Sequence, residues 1–381
     1  MEEHKREYSL WDLPEKNVYV KIKEDIRLDF FNFIKSNHGG AKKLSKSCKN
    51  IKLTNSHIYN WRRGINFIPL EILNKFLSIL EKKDKLRYQN LISTNIEKLK
   101  SGSNSRNISN VKFPIKFSTN LARIAGHLVG DGGISATGEE KYTTYYSNKC
   151  YDLIKLFKDD IEKNFGNIKI YVFFDKRYKV FQIKLPKIVG IILAQFFGFQ
   201  ANDLKHVPKV VSQSDKIYKS LFLQALFDDE ANVDKSGRKI TIMMTNRKII
   251  RDVKCILNSL NITTGEVKEI KKTKDNRQSI FGFYITHNKN FLEFHEEIGF
   301  SHPNKKANLK SLIEDYHPHY ENGEMDKNII KLLRNKRMTA LELSIELERS
   351  CSRTKQKLQE LERNNIIKAI VAKQNLKIYH M

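Results

Sequence analysis

The sequence predicts an α+β protein in which one structural unit is used twice. Two observations carry that prediction. Between residues 116 and 316 the order helix, strands, helix, strands, helix occurs two times, and the strand runs are short enough to pair as antiparallel neighbours. Within it, an apolar helix that ends on an acid and leads into a strand occurs once in each half, the two acids lying 99 residues apart. Helical segments flank this region on both sides.

The first element is "EDIRLDFFNFIKSN" (24–37), whose apolar spacing is that of an amphipathic helix. In "LTNSHIYNWRRG", Thr54 or Asn55 caps a short helix and Gly64 ends it. "IPLEILNKFLSILEKK" follows as a helix with Pro69 in its first turn. Short helices joined by tight turns predict a helix-turn-helix unit over residues 1–98. Its reading helix carries Asn55, Ser56, His57, Tyr59, Asn60, Arg62 and Arg63, side chains suited to groove edges and phosphates. The alternative is a helical bundle with a solvated basic face. "YNWRRG" followed by "IP" resembles the helix-turn-helix of small phage-repressor-like regulators.

"LKSGSNSRNISNVKFP" is polar and rich in Ser, Asn and Gly, and predicts a linker over 99–115. In the first repeat (116–214), "KYTTYYSNK", "IKIYVFFD" and "YKVFQIKLP" read as strands, and "YDLIKLFKDDIEKNFG" as a helix that Gly166 ends. The second repeat (215–316) has "RKITIMMTN" and "SIFGFYITH" as strands, with helices at "RKIIRDVKCILNSLNI" and "NKNFLEFHEEIGF". The tail, 322–381, reads as three helices and a β-hairpin turning at Lys373–Asn375, an order that resembles a winged helix. Arg353 and Lys355 open its third helix in a position for phosphate and base contacts; a dimerisation module is the alternative.

Lys+Arg outnumber Asp+Glu by 69 to 43 in 381 residues, a formal net charge of +26. That balance points to a polyanionic partner, nucleic acid before an anionic membrane surface. The longest apolar stretch, "IVGIILAQFFGF", is too short to span a bilayer, and the charged start "MEEHKREYSLWD" has no apolar signal core. A soluble cytoplasmic protein is expected, associated with the nucleoid. The four cysteines are scattered without a C-x-x-C pair and are expected to be reduced.

The chemistry concentrates in the repeated motif. "IAGHLVGDGGI" (124–134) aligns with "LQALFDDEANV" (223–233), placing Gly126 over Ala225 and Asp131 over Glu230. Small residues let two helices approach closely, which would bring both acids together at adjoining helix C-termini. An acid at a helix C-terminus is disfavoured by about 0.3–1 kcal/mol, and two such acids also repel each other. A cation relieves both costs. The carbonyls of Gly130 and Asp229 add oxygen ligands, and carboxylates with carbonyls suit Mg²⁺ or Mn²⁺. A metal held there would activate water against a phosphodiester.

The motifs "LARIAGHLVGDGGI" and "FLQALFDDEANV", with "YYSNK", "HVPKVV" and "EEIGFSHPNKKANL", resemble a two-repeat LAGLIDADG homing endonuclease of the dodecapeptide (DOD) type. The resemblance covers about half the chain, from residue 116 to 316. It implies a pseudo-twofold αββαββα saddle over the DNA major groove, with Asp131 and Glu230 as metal-binding acids and Gly130 and Asp229 offering carbonyls. It also implies an assisting basic residue, for which Lys184 in "FQIKLP" is the candidate. The saddle strands would set Tyr142, Thr144, Tyr146, Lys169, Tyr171, Lys239, Thr241 and Met243, or their neighbours of opposite parity, against bases. Ala225 and Ala231 stand where the family usually has glycine, and His127 and Val129 where an apolar residue and Asp are commoner. His127 is expected to be a satisfied core histidine. With Met at its start and "IYHM" at its end, the chain is not expected to be an intein.

The expected function is therefore a hydrolase: a monomeric, metal-dependent DNA endonuclease making a staggered double-strand cut in a long, asymmetric target. The alternatives are a non-cleaving DNA-binding transcriptional regulator on the same scaffold, or a maturase acting on intron RNA.

Overall fold

The computed structural model describes residues 6–39, 53–102, 105–135, 141–198, 206–272, 278–314, 323–347, 349, 351–371 and 377–381. The chain forms two compact units, Met1–Ser311 and Leu312–Met381.

The first unit opens with β1 (Glu7–Tyr8), β2 (Val18–Ile22) and α1 (Glu24–His38), then α2 (Asn55–Arg62), β3 (Ile68–Pro69), α3 (Leu70–Ser78) and α4 (Lys82–Thr94). β4 (Ile96–Ser101), β5 (Asn107–Ser109) and β6 (Ile115–Lys116) follow. This part was expected to be all helical, yet it holds an antiparallel sheet of order β3-β2-β4-β5. The reason lies in "VYVKI", which alternates and buries Val18, Val20 and Ile22 completely. The expected linker is corrected as well. It supplies β4 and β5, and Leu99, Ile108, Val111 and Phe113 are buried among its polar residues. Apolar side chains spaced through a Ser/Asn-rich run were enough to fix it in the sheet. Residues 40–52, just ahead of α2, lie outside the described residues.

The two repeats follow in matching order. The first has α5 (Thr119–Val129), β7 (Gly132–Ile134), β8 (Thr144–Asn148), α6 (Tyr151–Phe165), β9 (Val172–Asp175), β10 (Val180–Lys184) and α7 (Lys187–Phe197). After the short α8 (Lys209–Ser212), the second has α9 (Lys216–Glu230), β11 (Ala231–Asp234), β12 (Lys239–Met244), α10 (Arg247–Ser259), β13 (Lys268–Lys272), β14 (Ser279–Ile285) and α11 (Asn288–Glu297). α12 (Pro303–Glu314) ends the series. The sheets have orders β7-β8-β10-β9 and β11-β12-β14-β13, equivalent strand for strand. Local chemistry sets the helix limits. Ser118 Oγ accepts from Leu121 N (3.2 Å) to start α5, Asn246 Oδ1 accepts from Lys248 N (3.0 Å) to start α10, and Gly166 at φ +76° stops α6.

α5 and α9 pack directly on each other. A Cβ placed on Gly126 would strike the Phe222 carbonyl oxygen and lie 2.7 Å from Ala225 Cβ. One on Gly130 would lie 2.8 Å from Asp229 Cβ. The two glycines are one helical turn apart, so the helices touch backbone to side chain along their C-terminal halves.

The second unit holds α13 (Glu324–Asn335), β15 (Met338–Thr339), α14 (Ala340–Glu346), α15 (Cys351–Arg363), β16 (Lys368–Val371) and β17 (Lys377–His380). Its sheet order is β15-β17-β16, around a core of Ile329, Leu333, Leu343, Leu358, Leu361 and Tyr379. The antiparallel pair β16–β17 agrees with the expected hairpin, whose turn at 373–375 lies outside the described residues. On α14, Leu341 and Ile345 sit one turn apart and are 61% and 68% exposed, an apolar pair of the kind a dimerisation module presents.

Candidate functional site: an acidic cluster at the paired helix ends

The paired helices deliver Asp131, Asp228, Asp229 and Glu230 to one place. The three consecutive acids at the end of α9 then part company, because successive residues on a helix point about 100° apart. Asp228 is buried and turns to the start of α12, where it accepts from Ser301 N (3.0 Å) and His302 N (2.9 Å). It is a helix-capping carboxylate.

Asp229 turns the other way, into the first repeat. Its Oδ1 accepts from Tyr146 Oη (2.8 Å) and Asn148 Nδ2 (3.1 Å), and its Oδ2 lies 3.0 Å from His127 Nδ1. Asn148 also donates to Asp131 Oδ2 (2.9 Å), and its own Oδ1 accepts from Cys150 N (2.9 Å). The amide thus bridges the acids of the two motifs.

His127 agrees with the core reading on one side only. The ring is fully buried against Tyr146 and Phe157, but among the described residues its Nε2 has no hydrogen-bond partner. Burial works against charging the imidazole. The Asp229, Asp228 and Asp160 carboxylates outweigh it and raise its pKa.

A side chain supplies positive charge beside the acids. Lys305, from the first turn of α12, places its ammonium on the carbonyls that end α9: Phe227 O (3.1 Å), Asp229 O (3.3 Å) and Asp228 O. Burial lowers the Lys305 pKa, opposed by Asp228, Asp229, Asp131 and Glu230. The Asp229 carbonyl, expected as an oxygen ligand, thus accepts from this ammonium. Lys305 lies within the quoted "HPNKKANL", yet only the fold shows that α12 returns to the motif helices.

Asp131 and Glu230 are the pair expected from the aligned motifs. Partial burial, then the Asp229 carboxylate, push the Asp131 carboxyl up to about 6. Burial, then the Asp131 and Asp229 charges, push Glu230 up to about 7. Among the described residues, no three His, Cys, Asp or Glu side chains group as a metal-holding set. Two neighbouring carboxylates, one raising the pKa of the other, are nevertheless a donor set that fits a hard divalent cation, with water filling the other positions.

The raised values have a consequence for stability. Both carboxyls sit above their usual values, 3.8 and 4.5, so between about pH 4 and 7 the folded state binds more protons than the unfolded chain. Their contribution is present at acid pH and falls as pH rises through 6 and 7. Urea midpoints taken from pH 5 to 8 should therefore decline less in Glu230→Gln than in the wild type.

The sheet faces give a second correction. In β8, Thr144 and Tyr146 are completely buried, while Tyr145 is 40% exposed. The outward parity is therefore opposite to Thr144 and Tyr146, because the Tyr146 hydroxyl is needed at Asp229. Register places Tyr145 beside Lys184, and Ser147 beside Gln182, on the open face. In the second repeat Lys239, Thr241 and Met243 do lie on the side away from the buried Ile240 and Ile242, although Thr241 is covered. The Lys239 and Lys268 ammonium groups lie 5.0 and 5.1 Å from the Tyr284 ring centre. Lys169 and Tyr171 are exposed ahead of β9 with the ammonium 5.2 Å from the ring centre, and Tyr142 precedes β8 at φ +66°. Lys184 is exposed two strands from Gly133, about 10 Å by strand spacing. The lysine at the acids is Lys305.

On α2, Asn55, Ser56, His57, Tyr59, Arg62 and Arg63 are exposed, Asn60 is half-buried, and Ile58 and Trp61 face inward. The His57 imidazole joins the Thr54 capping box, and Arg62 donates to Asn32 Oδ1 (3.0 Å). Arg353 and Lys355 are exposed on α15, on either side of the buried Thr354. Among the described residues no helix is long and apolar enough to cross a membrane.

Known proteins resemble this chain in parts. It is 23% identical over 322 residues to the glutamine–fructose-6-phosphate aminotransferase of Methanocaldococcus jannaschii, a match covering 81% of this chain and 27% of that protein. The replication factor C small subunit of the same organism is 25% identical over 232 residues, covering 60% and 12%. The chain thus spans about a quarter or less of these relatives. Among solved structures, the homing endonuclease I-DmoI aligns over 51% of this chain and 97% of its own at 15% identity, with a TM-score of 0.39. Full-length WhiA (DUF199) from Thermatoga maritima aligns over 65% and 92% at 13% identity, with a TM-score of 0.37. Residues 218–299, from α9 to just past α11, match the family model of the LAGLIDADG-like domain.

Proposed function

We propose that the protein is a double-stranded-DNA-binding protein built on a two-repeat LAGLIDADG scaffold, with the duplex lying along the open faces of the two sheets. The observation that carries this is the pairing of two topologically equivalent sheets by α5 and α9, with uncovered strand positions that are basic and aromatic. Tyr145, Ser147, Gln182 and Lys184 face outward in one, and Lys239, Met243, Lys268 and Tyr284 in the other. Side chains of these types hydrogen-bond base edges and pair with phosphates. The two faces differ residue by residue, so the preferred target is asymmetric. The net charge of +26 supplies the non-specific part of the affinity. The relatives named above carry unlike activities, in keeping with a shared segment that has a task of its own.

α2 in the first unit and, taken by itself, α15 in the second would serve as further reading helices. Fluorescence anisotropy with a 40-base-pair random duplex tests the binding. Lys184→Gln, Lys239→Gln and Lys268→Gln should each lower the slope of log affinity against log salt by about 0.9, the change for one lost phosphate contact. Unchanged slopes in all three would remove the sheet faces from the interface.

A second reading is favoured by one observation, the Asp131 and Glu230 carboxyls meeting at the paired helix ends, where the Asp131 charge raises the Glu230 pKa. In this reading the same scaffold makes a staggered double-strand cut. Asp131 and Glu230 would hold Mg²⁺ or Mn²⁺, which when bound polarises the phosphodiester and activates water. The Asn148 amide orients Asp131, while Lys305 lies within the electrostatic reach of both acids. Incubating a randomised duplex library with either metal, beside Asp131→Asn and Glu230→Gln, separates the two readings. Site-specific cleavage lost in both variants establishes the nuclease. Sequence-specific binding without cleavage in either metal leaves a DNA-binding regulator.

A further inference from the structure

A cavity of about 650 Å³ opens where the N-terminal sheet meets the first repeat. Lys16 and Asn17 reach it ahead of β2, Ser101 and Ser105 from the end of β4 and beyond, Lys141 ahead of β8, and Lys187 from the first turn of α7. Three lysines thus converge from three separate segments, and none of the described residues lining the cavity carries a carboxylate.

Two features leave particular polar groups of the cavity without a partner among the described residues. Ser101 is only 5% exposed, and among the described residues its hydroxyl has no hydrogen-bond partner; the buried Ser105 hydroxyl has none either. A buried polar group left unpaired costs about 1–3 kcal/mol. In addition, α7 starts at Pro186 without a side-chain cap, leaving the positive end of an 11-residue helix beside the cavity. Hydroxyls, ammonium groups and a helix N-terminus are complementary to an anion rich in acceptor oxygens.

We propose that this cavity binds a phosphoryl group. The group carries three acceptor oxygens and close to two charges when terminal, matching the hydroxyls and lysines. The volume is larger than a lone phosphate, so the group belongs to a larger molecule. Two sources share this chemistry, a DNA backbone phosphate and a free phosphorylated compound. The first rests on the DNA reading above. It draws on the β7–β8 hairpin, which carries Tyr145 and Ser147 on the open face and ends beside the cavity at Lys141 and Tyr142.

The test uses the full chain, the exposed-residue double variant Lys16→Gln/Lys141→Gln, and Ser101→Ala. One arm measures the salt dependence of duplex affinity by fluorescence anisotropy. The other measures binding of inorganic pyrophosphate by calorimetry. For a backbone phosphate, the double variant lowers the salt slope by about 0.9 to 1.8, and Ser101→Ala weakens duplex binding several-fold. For a free phosphorylated compound, pyrophosphate binds the wild type saturably and the double variant at least tenfold more weakly, with the duplex slope unchanged. In either case Ser101→Ala raises the urea midpoint of the unliganded protein, the reverse of what a structural serine would do. If neither the slope nor pyrophosphate binding responds, the proposal is overturned. A wild type that binds no duplex defeats the DNA reading alone, and the pyrophosphate arm then decides the cavity.

Discussion

Lys305→Met is expected to cost about 3–5 kcal/mol of folding stability at pH 8, the range for removing one partner from a buried charge cluster. The ammonium contacts three carbonyls at the end of α9 and is surrounded by Asp228, Asp229, Asp131 and Glu230. Methionine keeps most of the volume and none of the charge. Without the cation, the carboxyls of Asp131 and Glu230 should move above their present values of about 6 and 7. The loss should therefore shrink at pH 5, where those groups take up protons. Urea unfolding at the two pH values reads both effects. An equal loss at pH 5 and pH 8 would mean that Lys305 acts through packing alone.

Gly126→Leu should be comparably damaging for a different reason. A Cβ at this position meets the Phe222 carbonyl and Ala225 Cβ, which belong to the facing helix and have no room to move independently. Overpacking a core commonly costs about 1–3 kcal/mol, and a backbone clash at a helix crossing lies at or beyond the upper end. The two motif helices must separate, which also pulls Gly130 from Asp229 and Asp131 from Glu230. A loss of about 3 kcal/mol or more in denaturant, together with a fall in the Glu230 pKa toward its ordinary value in an NMR titration, would show both consequences. Gly126→Ala combined with Ala225→Gly returns one methyl of space and should recover part of the loss.

Much of this architecture was legible in the residues. The apolar spacing of "LARIAGHLV" and "LFLQALF", each ending on an acid and leading into strand-forming residues, located α5 and α9 and their equivalence. Gly126 and Ala225 marked the crossing. What could not be read was direction. A strand of polar and aromatic residues, "TYYSN", has no apolar face, so its parity was open, and a shift of one residue exchanges the faces. The outcome was fixed by the Tyr146 hydroxyl bonding to Asp229 from the other repeat, a pairing 83 residues distant. Lys305 was hidden for a related reason. One lysine among 69 Lys and Arg residues carries no mark of its own until α12 folds back on α9. The N-terminal sheet was legible in the alternation of "VYVKI" and was masked by the helices around it.

The run Asp228-Asp229-Glu230 reads as one patch of negative charge, but the fold treats it as three distinct addresses. Asp228 belongs to the start of α12, Asp229 to the buried ring of Tyr146, Asn148 and His127, and Glu230 to the mouth beside Asp131. One residue inserted or deleted upstream in α9 would rotate every address by about 100° and deliver each carboxylate to its neighbour's partners. The site is therefore protected far more strictly against insertion and deletion than against exchange of one acid for another, and the length of α9 is itself part of its specification.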